Sequence, residues 1–114
     1  DSRYQWGLLV PRRPGAIEMC DLAPDDQQQL MAEIVKLSGL IRFLPGVEKL
    51  NVGNLGNVVP HLHWHVIARW PDDPHFPQPI WGQRQREPSA AHQMRLEVAL
   101  PQVDRAIQTE LMNR

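Results

Sequence analysis

Residues 61–69 read "HLHWHVIAR". His61, His63 and His65 stand at every second position and are three of the five histidines in the chain. On a helix, residues two apart point about 200° from each other, so these side chains would scatter. On a strand they share a face, about 6.6 Å apart at a rise of about 3.3 Å per residue. The residues between them support the strand. Leu62, Trp64, Val66 and Ala68 make a continuous apolar face, while His61, His63, His65 and Arg69 fall on the other. The spacing therefore predicts that Trp64 is buried in the core and that the imidazoles share an exposed face at a pocket.

Three chemistries fit such a row. It can be the ordinary polar face of a half-exposed strand. It can be a metal site, because two strand histidines with one residue between them can chelate zinc or iron. The further ligands would then come from His75, His92, Cys20 or an acid, none of which stands at a recognisable spacing. Or it can be a nucleophilic centre. A neutral imidazole attacks phosphorus well near pH 7, and neighbouring imidazoles can fix its tautomer and stabilise charge on the phosphate oxygens.

The rest of the chain frames this stretch. "YQWGLLVPRR" reads as a strand from Tyr4 to Val10, stopped by Pro11, with Pro14-Gly15 as a turn. The next segment, "LAPDDQQQLMAEIVKLSGLIRFLPG", reads as a helix. Pro24 suits its first turn, Asp25 and Asp26 complement the dipole, and Leu30, Ile34, Leu37, Ile41 and Leu44 form one buried stripe. "EKLNVGN" is a second strand, "LGNVVP" a loop, and "HLHWHVIARW" the third strand. "PDDPHFPQPIWG" holds four prolines and is expected to be an irregular, stiff loop. From Ser89, a plausible cap, Leu96, Leu100, Val103, Ile107 and Leu111 repeat at helical spacing, and Pro101 should kink or split that helix. His75 is expected to be exposed, Cys20 buried or half-buried, and Arg12 and Arg13 surface charge. His92 has no assigned task.

At 114 residues the chain fits one domain, and a net charge of -1 gives no general pull toward nucleic acid or anionic membrane. A single cysteine excludes an internal disulfide framework, and no apolar run approaches the ~20 residues of a membrane span. The cytoplasm is the expected setting.

The pattern His-x-His-x-His followed by two apolar residues, in "HLHWHVI", resembles the histidine triad (HIT) superfamily of nucleotidyl hydrolases and transferases. The order of elements is similar too: "LLVPRR" closing a strand, a long helix, an asparagine strand, a Gly/Asn loop, the histidine strand, and "PIWG" beyond it. The resemblance covers roughly Tyr4 to Gly82 and leaves 83–114 as a C-terminal helical extension of a single domain. It implies an α+β fold, an antiparallel sheet with the long helix across one face and the C-terminal helix beside it. It also implies a homodimer, and a nucleotide or nucleotide-conjugate substrate without metal or cofactor. By the resemblance His63 is the nucleophile that attacks the α-phosphorus. His65 contacts the phosphate and assists the leaving group, and His61 orients His63 through the backbone. Asn51 lies near ribose and phosphate, and Asn57 stands where an amide approaches the α-phosphate. Both asparagines also read as turn formers. Arg69, on the triad face by parity, either attracts phosphate or is a solvated strand-end arginine. Many members carry a serine or threonine shortly before the triad, where this chain has Val58 and Val59. The family's first strands and much of its base pocket would precede Asp1. A catalytically weak nucleotide-binding protein on the same fold, and a metalloenzyme using the strand histidines, are the alternative functions.

Overall fold

The computed structural model describes residues 6–112, in the order β1 (Trp6–Leu9), α1 (Pro24–Arg42), β2 (Lys49–Gly53), β3 (Trp64–Arg69) and α2 (Ala90–Ile107). A short 3-10 turn, Met19–Asp21, precedes α1, and a π-helical turn, Gln108–Met112, follows α2. The sheet is antiparallel with order β1-β3-β2, so the histidine strand is central. This is the expected α+β arrangement. Tyr4 and Gln5, expected at the start of the first strand, lie outside the described residues.

One face of the sheet builds the core. Leu50, Val66 and Ala68 belong to it, together with Leu30, Ile34, Leu37 and Ile41 of α1. Each buried side chain of this kind contributes about 1.5–3 kcal/mol relative to exposure. Helix α1 begins with Pro24 at its first turn, where the missing N–H costs nothing. Asp26 in that turn accepts two bonds from Arg13, at 2.8 and 2.9 Å. After α1 the Pro45–Gly46 turn needs a positive φ of 79° at Gly46, a conformation open to glycine.

Gly7 marks the closest approach of sheet and helix. A Cβ placed there would stand 2.5 Å from a Leu37 methyl carbon. Gly7→Val should therefore force Leu37 off its rotamer and lower stability by about 1–3 kcal/mol. Urea unfolding checks this, and an unchanged midpoint would contradict it.

Helix α2 starts at Ser89, whose side chain accepts from the His92 backbone N–H at 3.0 Å. It runs through Pro101 as one helix, so the expected split does not occur. Its buried residues also differ from the expected stripe: Leu100 is exposed, and Ala99 joins Leu96 and Val103 in the core. The helix turns so that a row starting at Leu96 continues three and seven residues on, a helical face as regular as the one expected.

Candidate functional site

The hydrogen-bonded part of β3 begins at Trp64, later than the alternation suggests. The last pair toward β1 is Leu9–Trp64, and Gly53, at the end of β2, pairs with His65. Among the described residues no strand lies opposite 61–63, because Pro11 cannot continue the ladder and the chain after Gly53 turns into a loop. Residues 61–63 are held otherwise. The Leu62 N–H donates to the Ala16 carbonyl at 2.9 Å, and the Leu62 side chain is fully buried. Alternation therefore persists without a ladder: His61, His63 and His65 are half-buried around the buried Leu62 and Val66. Trp64, expected to be buried, is half-buried and packs against the core from its margin.

The histidines sit in distinct surroundings. The His61 ring faces the Pro11 carbonyl, with Nε2 at 3.2 Å. His63 Nδ1 lies 2.7 Å from the backbone carbonyl of His61. A carbonyl only accepts, so His63 Nδ1 carries a proton, and in the neutral tautomer that this bond selects Nε2 holds the free lone pair. The His63 and His65 rings meet edge-on, with centroids 5.1 Å apart. His65 in turn meets the edge of Trp81 at 5.3 Å.

His63 and His65 open into a pocket of about 310 Å³, lined also by Leu55, Gly56, Asn57, Val58, Val59 and Trp81. Asn57 thus shares the pocket with two of the three histidines, and His61 stands behind it. Among the described residues, neither lysine nor arginine lines it. Trp81 was absent from the expected site, although "PIWG" was the signal that pointed to it.

Burial lowers the His65 pKa below its ordinary value of 6.5, and the charge of His63 adds to this. The folded protein thus binds the His65 proton less readily than the unfolded chain does. The His65 contribution to stability is complete above about pH 6.5 and declines as pH falls toward the depressed value. Thermal unfolding should show this decline in the wild type and a weaker one in His65→Gln. Identical profiles would contradict it.

Arg69 and Asn51 lie elsewhere. Arg69 was expected to face phosphate or solvent, but it is 1% exposed. Its Nε and Nη2 bond both Asp73 oxygens at 2.8 and 3.0 Å, and its Nη1 donates to Asn51 Oδ1 at 2.6 Å. Asn51 is therefore not merely a turn former, and Arg69 is not a surface cation. The cause is the proline-rich loop, which folds back over this face of β3, where Ile67 and Arg69 are buried, while Val66 and Ala68 are buried on the other face against the core. The same loop buries His75, which was expected to be exposed. Cys20 is exposed rather than buried, since its 3-10 turn stands outside the core. His92 is buried, with its ring 5.8 Å from that of Trp70 and Nδ1 3.0 Å from Arg95 Nη1. It fastens α2 to the end of β3.

Among the described residues, no group of three or more His, Cys, Asp or Glu side chains is placed to hold a metal ion, and no helix is long and apolar enough to cross a membrane.

The HIT domain family profile matches residues 1–72, somewhat less than the stretch to Gly82 expected from the motifs. No curated protein matches the chain. Solved structures do. A histidine triad protein of Bradyrhizobium japonicum is 41% identical at a TM-score of 0.75, over 92% of this chain and 77% of that one. A histidine triad (HIT) protein of Sinorhizobium meliloti is 38% identical at 0.73, over 92% and 76%. A histidine triad protein of Marinobacter aquaeolei is 36% identical at 0.71, over 92% and 78%. With the three alternating histidines gathered at the head of a central strand, the profile and these likenesses establish that the chain belongs to the histidine triad family.

Proposed function

We propose that this protein is a nucleotidyl hydrolase or transferase with His63 as its nucleophile. One observation carries the proposal: the His61 carbonyl holds His63 Nδ1–H and leaves Nε2 unprotonated beside the pocket. In the reaction, the Nε2 lone pair attacks the α-phosphorus of a phosphoramidate, dinucleoside polyphosphate or mixed anhydride. The N–P bond forms as the bond from phosphorus to the leaving group breaks, and the leaving group departs with that electron pair and takes up a solvent proton, which His65 relays by accepting it at one ring nitrogen and giving one up from the other. The attached imidazole ring is then cationic, and the His61 carbonyl accepts a charge-assisted bond from it. Water next attacks phosphorus, the N–P bond breaks, and the nucleoside monophosphate leaves. A water proton returns to solvent, and His63 is again neutral. The burial that depresses the His65 pKa keeps His65 neutral near pH 7, able to donate one N–H to a phosphate oxygen.

The pocket wall favours an uncharged leaving group. Leu55, Val58, Val59 and Trp81 line it with no cation among the described residues, so a polyphosphate chain would meet no counter-charge from this wall. Asn57 supplies a side-chain amide next to the phosphate. The protein acts as a homodimer in the cytoplasm, and the sedimentation coefficient of the purified chain checks the dimer.

The test is a rapid quench with adenosine phosphoramidate, followed by mass spectrometry of the peptide containing His63. An adenylyl group on His63 is expected. Turnover without any adduct, undiminished in His63→Ala, would remove His63 from the chemistry. A second reading, a nucleotide-binding protein of weak turnover, is favoured by Val58 and Val59, which are exposed where relatives offer a hydroxyl. Under it, nucleotide binds and no adduct forms.

A further inference from the structure

The buried Arg69 gathers groups from β2 and from the proline-rich loop. Four of its bonds are short and well formed. Two go to Asp73, one to Asn51 Oδ1, and one to the Gln78 carbonyl at 2.7 Å. Its Cζ also lies 5.5 Å from the Phe76 ring centroid. Asp73 accepts in addition from the backbone N–H groups of Trp70, His75 and Phe76, at 3.2, 3.0 and 2.8 Å. Arg86 closes the loop from outside through the carbonyls of Asp73 and Phe76. Trp81, the residue that meets His65, lies between these fixed points, three residues after Gln78 and five before Arg86.

The bond to Asn51 has a second consequence. A guanidinium only donates, so the Asn51 oxygen must face it, and the amide nitrogen must turn away. Asn51 pairs with Ile67, and Gly53 with His65. Asn51 is therefore a diagonal neighbour of His65 on the same sheet face, about 7–8 Å away.

We propose that Arg69 is a positioning residue, which orients the Asn51 amide as a donor toward a nucleotide and, through Gln78 and Asp73, sets Trp81 against His65. The proposal rests on the nucleotide reading above for its first half, while the second half stands without it.

In the ¹⁵N-labelled wild-type protein, added adenosine monophosphate should shift the side-chain amide signals of Asn51 and leave the guanidinium signals of Arg69 in place. Shifts at Arg69 with Asn51 unmoved would mean that Arg69 itself takes the phosphate, and would overturn the proposal. Arg69→Lys keeps the charge but replaces a planar fork by a point charge, which cannot serve Asp73, Asn51 and Gln78 together. It should weaken adenosine monophosphate binding about tenfold, and less than about twofold when Asn51 is already alanine. An equal factor in both backgrounds would show that Arg69 does not act through Asn51.

The Trp81 half has its own readout. Trp81 emission, isolated by difference from Trp81→Phe, should change as His65 takes up its proton in the wild type. In Arg69→Lys this step should largely vanish, and a full step there would sink the claim. If the wild type binds no adenosine monophosphate, the nucleotide reading fails by itself, and the Trp81 step alone decides the role of Arg69. If Arg69→Lys does not fold, the wild-type ¹⁵N spectra decide it.

Discussion

His63→Ala should lower turnover of adenosine phosphoramidate by at least about a thousandfold, because removal of a covalent nucleophile leaves only binding and electrostatic help. The geometry also predicts how the neighbours differ. His61 acts on His63 through its backbone carbonyl, and alanine at position 61 keeps that carbonyl. His61→Ala should therefore lose far less, about tenfold, through loosening of the ring contact with the Pro11 carbonyl. His65→Ala falls between the two, since it removes a donor from the phosphate and a path for the leaving-group proton. The ordering of the three variants is the measurement. Comparable losses for His61→Ala and His63→Ala would mean that the 61 side chain, not its carbonyl, governs the nucleophile. Wild-type turnover in His63→Ala would end the proposal.

Asp73→Ala should cost about 3–5 kcal/mol of folding stability, the range for removing one partner of a buried ion pair. Both residues are almost wholly buried, so solvent offers Arg69 no replacement. Burial by itself would raise the Asp73 pKa, yet it is held below the ordinary 3.8 because Arg69 and the N–H groups of His75 and Phe76 outweigh that effect. The variant loses these partners together and strands a guanidinium in the interior. For a domain of this size the melting temperature should fall by roughly 12–25 °C. Circular dichroism on heating reads it directly, and a fall of only a few degrees would mean that water reaches Arg69. Asp73→Asn should be milder, since its amide oxygen still accepts.

Much of the fold was legible because period is a property of sequence. The α1 stripe from Leu30 to Ile41 and the apolar face of Leu62, Val66 and Ala68 each follow from side-chain spacing and pack as expected, while Trp64 on that face is only half-buried. The residues misplaced around the end of the histidine strand share one cause. Parity along a strand says which face a side chain leaves from, but not what later covers that face. The proline-rich loop returns over Ile67 and Arg69, and this depends on Asp73, four residues beyond Arg69, rather than on anything within the strand. His75 was misplaced for the same reason, and Leu100 because one turn of helix has two equally plausible apolar faces. The resemblance implied that His61 orients His63 through the backbone, but the particular bond from His63 Nδ1 to the His61 carbonyl depends on local backbone direction, which spacing does not give.

The proposed nucleophile and the wall that faces it are built from different parts of the chain. His63 is held by a backbone carbonyl next to the buried Leu62, whereas Val58 is 92% exposed and Val59 59%. Leu55 and Trp81 also stand on loops and leave about half their surface open. Substitutions at these four positions touch almost none of the packing that supports the strand. Such a layout makes the pocket evolvable: selection, natural or in the laboratory, can redraw which molecules enter while the reactive nitrogen stays where the core put it.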